Sequence, residues 1–140
     1  YPHCASKLVV RNCIVWDYEW IKAGSHYRFS HEFILYGTKS ENTKRTFEPS
    51  KENRDVWRIA PLNFTRTEKR HQAEKPEELI RKMILNSTKV GDTILDTFLG
   101  SGTTAVLAKE LNRKFIGIEL NKDYKKIAEE RVRNMPNTLL

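Results

Sequence analysis

The sequence predicts an α/β fold with a mostly parallel sheet and an antiparallel hairpin at one edge. Three observations carry this expectation. Thr93-Ile94-Leu95-Asp96 and Phe115-Ile116-Gly117-Ile118-Glu119 read as short strands, and a helical segment lies between them. The loop Thr97-Phe98-Leu99-Gly100-Ser101-Gly102 joins the first strand to that helix. Such a β-α-β order implies parallel strands linked by a right-handed crossover. Upstream, residues 8–16 and 31–37 are β-branched and apolar enough for two more strands, with Gly24 and Ser25 in the loose turn between them.

Composition bounds what such a fold can be. The chain has 140 residues and 16.4 kDa, with 39% hydrophobic and 31% charged residues, which suits one globular domain and excludes a disordered chain. No apolar run approaches the roughly 18 residues of a membrane span. Cys4 and Cys13 make no disulfide framework and lack the spacing of a zinc site, so we expect a reducing, cytoplasmic setting and no metal. The net charge is +7. Residues 1–70 hold 13 Lys/Arg against 8 Asp/Glu, and residues 71–140 hold 12 against 10. That excess permits a polyanionic partner without requiring one. The chain opens on Tyr1-Pro2 rather than Met, so we expect a fragment or a processed piece.

The remaining elements follow in order. Residues 38–55 have almost nothing apolar except Phe47 and read as a long exposed loop. Val56-Trp57-Arg58-Ile59 is a short apolar piece stopped by Pro61. Pro76 suits a helix start, Glu77 and Glu78 favour its positive end, and Leu79, Ile80, Met83 and Ile84 share one face up to about Asn86. Gly91-Asp92 is a turn. The helix from Thr103 to Leu111 turns Ala105, Ala108 and Leu111 inward, and Asn112 can take the left-handed stop. Asn121 caps a last helix that Pro136 ends. Residues 1–70 thus form a sheet edge and basic loop, and residues 71–140 a β-α-β-α unit, within one expected domain.

The glycine loop is the candidate site. Gly100-x-Gly102-x-x-Ala105 follows a strand and opens a helix, and Glu119 ends the next strand 19 residues after Gly100. The glycines let a ligand approach the backbone, and a carboxylate at that strand end can accept from two ribose hydroxyls. A tight turn with a solvated Glu119 would use the same residues without a ligand. No G-x-x-x-x-G-K occurs, which excludes a P-loop. Asp96 separates the two remaining ligands. A carboxylate beside the loop repels the pyrophosphate of a dinucleotide but favours the α-ammonium and sulfonium of S-adenosyl-L-methionine. The single carboxylate of that cofactor suits the N–H groups and the Ser101, Thr103 or Thr104 hydroxyls near the helix start.

Here the residues resemble a family. Asp96-Thr-Phe98-Leu-Gly100-Ser-Gly102-Thr103-Thr104 resembles the D-P-F-x-G-S-G-T-T cofactor motif of S-adenosylmethionine-dependent DNA amino-methyltransferases, which modify adenine N6 or cytosine N4. His71-Gln-Ala-Glu-Lys75-Pro76-Glu-Glu-Leu79-Ile80 resembles their H-P-x-x-K-P-x-x-L-I element, and its position ahead of the cofactor motif marks the permuted group. Residues 28–34 and Asp55-Val56-Trp57 resemble family stretches less specifically. The resemblance runs over about residues 9–133. Thr97 and Gln72 stand where the family has proline.

That resemblance implies a Rossmann-like methyltransferase fold, N-terminally incomplete, acting on double-stranded DNA as in restriction–modification. The methyl group goes to an exocyclic amine, adenine N6 ahead of cytosine N4, on a base flipped from the duplex. It also implies that Asp96 takes the cofactor ammonium, Phe98 packs near its adenine or methionine arm, Glu119 takes the ribose and Lys75 pairs with its carboxylate; His71 is as readily a packed or surface histidine. The family's catalytic [D/S/N]-P-P-[Y/F/W] motif occurs nowhere in the 140 residues, so no catalytic residue is assigned. In the permuted order it should lie upstream of Tyr1, in a missing N-terminal portion; a homodimer is the other partner expected. The rival expectation is a degenerate, non-catalytic domain that binds DNA or a partner.

Three other features have bland readings. His31 and Glu32 are strand neighbours and point to opposite faces, so they are not a paired acid and base. Trp16, Trp20 and Trp57 suit core or rim. Lys39, Lys44, Arg45, Lys51, Arg54 and Arg58 could follow DNA phosphates or simply be solvated.

Overall fold

The computed structural model describes residues 7–22, 24, 26–44, 53–62 and 74–136. The chain divides into two compact units, Tyr1–Pro61 and Leu62–Leu140.

In the first unit β1 (Val9–Lys22) lies between β2 (Phe29–Thr38) and β3 (Val56–Arg58). β1 and β2 run antiparallel, with Ile14 opposite Ile34, and β1 and β3 run parallel, with Trp16 opposite Trp57. The hairpin is the expected one, but β1 extends to Lys22 rather than ending near Trp16. Alternation explains the extension. Trp16 and Tyr18 are both buried, two residues apart on one face, with their rings edge to face at 4.9 Å. A register shift between Asp17 and Lys22, with Glu19 at φ 56°, disguises the strand in the sequence. The indole N–H groups are satisfied, that of Trp16 by the Ile59 carbonyl and that of Trp57 by the Arg54 carbonyl, each at 2.8 Å. Trp16 and Trp57 are therefore core, whereas Trp20 is exposed.

Glu32 and His31 behave as strand neighbours. Glu32 accepts from the Tyr18 hydroxyl at 2.7 Å and from Lys22 Nζ at 3.2 Å, while His31 packs edge to face on Phe33. Burial, reinforced by Glu32 and opposed by Lys22, raises the Tyr18 hydroxyl above its usual range.

In the second unit α1 (Glu77–Ser87) starts directly after Pro76. β4 (Thr93–Asp96) pairs in parallel with β5 (Lys114–Gly117), with Asp96 opposite Gly117. α2 (Thr103–Glu110) makes the crossover, and Asn112 takes the left-handed stop at φ 59°. Asn121 caps α3 (Lys122–Arg133) by accepting from the Asp123 and Tyr124 amides. Leu79, Ile84, Ala105, Leu107, Ala108 and Ala128 are buried among these helices.

One expectation needs correction. The apolar runs of β4 and β5 suggest strands covered on both faces. α2 packs against β5, yet Leu95 is 61% and Ile116 56% exposed. Among the described residues of the second unit no helix or strand packs on that second face.

Candidate cofactor site

β4 ends at Asp96, and the chain must turn sharply to enter α2. Asp96 Oδ1 accepts from the Phe98 amide at 3.0 Å, which folds the first residues of the turn back on the strand end. The Ile118 amide donates to the Asp96 carbonyl and the Leu99 amide to the Ile118 carbonyl, both at 2.9 Å, so the loop continues the β4–β5 pairing. Gly100 and Gly102 take φ of 56° and 86°. At Gly102 an added Cβ would stand 2.7 Å from Ala128 Cβ, so only glycine lets the loop pass this close to α3.

Glu119 joins the far strand end to the loop. Its Oε2 accepts from the Gly100 amide at 2.7 Å and its Oε1 from the Asn121 amide at 2.8 Å. A carboxylate has further lone pairs, so Glu119 can still accept from a ligand while these two bonds aim it. Phe98 is 87% exposed at the turn, although a buried ring would be the usual state of a phenylalanine.

The structure therefore gathers Asp96, Phe98, Gly100 and Glu119 at the ends of adjacent strands. Thr104 is half-buried on the first turn of α2. Ser101 and Thr103 are buried. Their hydroxyls lie 3.4 and 3.3 Å from Arg131 Nη1, and Thr103 Oγ1 lies 3.5 Å from Glu74 Oε1. These two hydroxyls thus serve the underside of the loop. Lys75 is half-buried and follows Glu74 directly, which places it one residue from this cluster. His71, Arg45, Lys51 and Cys4 lie outside the described residues.

Sequence reasoning missed Arg131 and Glu74. Arg131 looks like one more charge in Lys125-Lys126-Ile127-Ala128-Glu129-Glu130-Arg131. Its sole sequence signal is that it stands three residues after Ala128, hence on the same helix face.

Parallel strands joined by a crossover helix, with a glycine turn at their carboxyl ends and an acid just beyond the second strand, define the Rossmann-like class of nucleoside-binding folds. The chain belongs to the DNA methylase family (N6_N4_Mtase), which it matches over residues 3–130. It is 40% identical over 119 residues to the Type II methyltransferase M2.LlaDCHI of Lactococcus lactis subsp. cremoris, covering 76% of this chain and 44% of that protein. It is 28% identical over 159 residues to the DNA adenine methyltransferase YhdJ of Escherichia coli (strain K12), covering 92% of this chain and 54% of that one. The crystal structure of the M1.HpyAVI–SAM complex superposes with a TM-score of 0.75 at 31% identity, over 94% of this chain and 65% of that one. The chain thus spans about half the length of these curated relatives.

Proposed function

We propose that this chain is the cofactor-binding part of a DNA amino-methyltransferase and that its glycine loop receives S-adenosyl-L-methionine. One observation carries the reading. Two carboxylates, Asp96 at the end of β4 and Glu119 two residues beyond the end of its parallel partner β5, stand on either side of a loop whose backbone turns through Gly100 and Gly102. A site bounded by two anions suits a ligand that carries an ammonium, a sulfonium and ribose hydroxyls. It repels a pyrophosphate. The cofactor named in the M1.HpyAVI structure has this chemistry.

The residues fit that group. Asp96 offers an anion for the ammonium, Glu119 is aimed by two backbone amides and retains capacity for ribose hydroxyls, and the Phe98 face is open to a ring or a thioether arm. Lys75 supplies the cation for the carboxylate. When bound, the cofactor supplies an electrophilic methyl group on sulfur. The chain's own residues contribute positioning and charge placement. The two units then form parts of one methyltransferase domain, which the family match spanning both supports. The proposed substrate is double-stranded DNA and the proposed acceptor adenine N6; the name of the E. coli relative, a DNA adenine methyltransferase, supports adenine as the base.

Calorimetric titration with S-adenosylmethionine and, separately, with NAD tests the ligand. Saturable binding of the first and none of the second is expected. Tighter binding of NAD overturns the reading.

A further inference from the structure

We propose that Arg131 is the positioning residue of the cofactor loop. The inference rests on the reading of that loop as the S-adenosylmethionine site, and it assigns the device that holds the loop in its receiving shape. Arg131 lies in the last turn of α3, yet its side chain is only 12% exposed. Its Nη1 donates to the Ser101 carbonyl at 2.8 Å, beside the Ser101 and Thr103 hydroxyls. The same guanidinium faces Glu74, 8% exposed, at 3.6 Å and Glu77 at 3.5 Å.

Each contact has a separate consequence. The Ser101 carbonyl lies between the two left-handed glycines, the part of the loop with the least side-chain restraint of its own. A charge-assisted bond there selects one loop conformation from the several that glycine allows. The Glu74 pair ties the residue preceding Lys75 to the same cation, so one side chain sets the spacing between the loop and the segment that carries Lys75. Ala128, one turn earlier on the same face, abuts Gly102. α3 is therefore a template with a steric stop at Ala128 and an electrostatic clamp at Arg131. The planar fork matters because Nη1 sits against the Ser101 carbonyl, the two hydroxyls and Glu74 while Nη2 faces Glu77, so one rigid group bridges the loop and the start of α1; the shorter, single-point ammonium of lysine cannot hold both sides.

The test compares Arg131→Lys and Arg131→Met with the unmodified chain, reading melting temperature, calorimetric affinity for S-adenosylmethionine and amide hydrogen exchange at residues 99–103 without ligand. Arg131→Lys should keep most of the melting temperature, since it retains the charge opposite Glu74. It should still bind at least tenfold more weakly and exchange at least tenfold faster at residues 99–103 than the unmodified chain. Arg131→Met should show a larger loss of both. A folded Arg131→Lys chain with unchanged loop exchange and unchanged affinity overturns the inference and leaves Arg131 a structural ion pair. If the unmodified chain binds no S-adenosylmethionine, the proposed function fails, while loop exchange in Arg131→Lys still decides whether Arg131 positions the loop.

Discussion

Gly102 is the residue at which loop shape and helix packing meet. Its φ of 86° lies in the left-handed region, and Ala128 leaves no room for a Cβ. Gly102→Ala should therefore destabilise the chain. Left-handed backbone alone costs roughly 1–2 kcal/mol for a residue with a side chain, and the overlap with Ala128 adds to it. Urea denaturation measures the loss; a variant as stable as the parent would show that the loop does not approach α3 this closely. The glycines, Asp96 and Glu119 are legible in the sequence because their chemistry is local: each stands at a strand end or in a turn that only certain residue types make. Arg131 and Glu74 are not legible. They are 57 positions apart in the chain, and only the packing of α3 beneath the loop brings them together.

At the scale of elements, caps and ion pairs fix the helices of the second unit. Asn121→Ala should cost about 1 kcal/mol, because the Asp123 and Tyr124 amides lose their acceptor. Thermal melting checks this, and Asn121→Asp should recover most of the loss. Arg81 on α1 meets Glu110 on α2 at 2.8 Å and, through that hydrogen bond, holds the Glu110 carboxyl below its ordinary range. A depressed carboxyl stabilises the fold above the unfolded chain's value, and that contribution fades as pH falls through the folded value. Both groups are partly exposed, so the effect at neutral pH should be under about 1 kcal/mol. The stability gap between the parent and Glu110→Gln should narrow on acidification; a gap that widened would contradict the pairing.

Element boundaries were legible where caps and breakers mark them, as at Pro76, Asn112 and Asn121. The end of β1 was not. Its last residues, Asp17 to Lys22, mix polar and aromatic side chains around an irregularity at Glu19, and only pairing with β2 reveals them as strand. The exposed faces of β4 and β5 have a related cause. An apolar run states that a strand can be buried, whereas the covering elements decide how much of it is.

For the molecule as a whole, the proposed cofactor half-site comes without a Pro-Pro-aromatic triplet in the 140 residues. By itself the chain should bind cofactor and fail to methylate DNA. Losing the orientation of the acceptor amine forfeits a large share of the roughly 7–11 kcal/mol that such positioning can supply. Tritiated methyl transfer to mixed-sequence duplex DNA is the assay. Turnover by the purified chain would mean that other residues hold the base.

Asp96 and Glu119 are the two carboxylates proposed to receive S-adenosylmethionine across the glycine loop. Calorimetry on Asp96→Asn and Glu119→Gln tests this assignment most directly, since both changes remove charge and leave the shape of the side chain. Each should weaken binding by about 1.5–3 kcal/mol, the worth of a hydrogen bond to a charged group; Asp96→Asn should leave the melting temperature nearly unchanged, whereas Glu119→Gln should also lower it, because an amide cannot accept from both the Gly100 and Asn121 amides. Unaltered affinity in both folded variants would contradict the site.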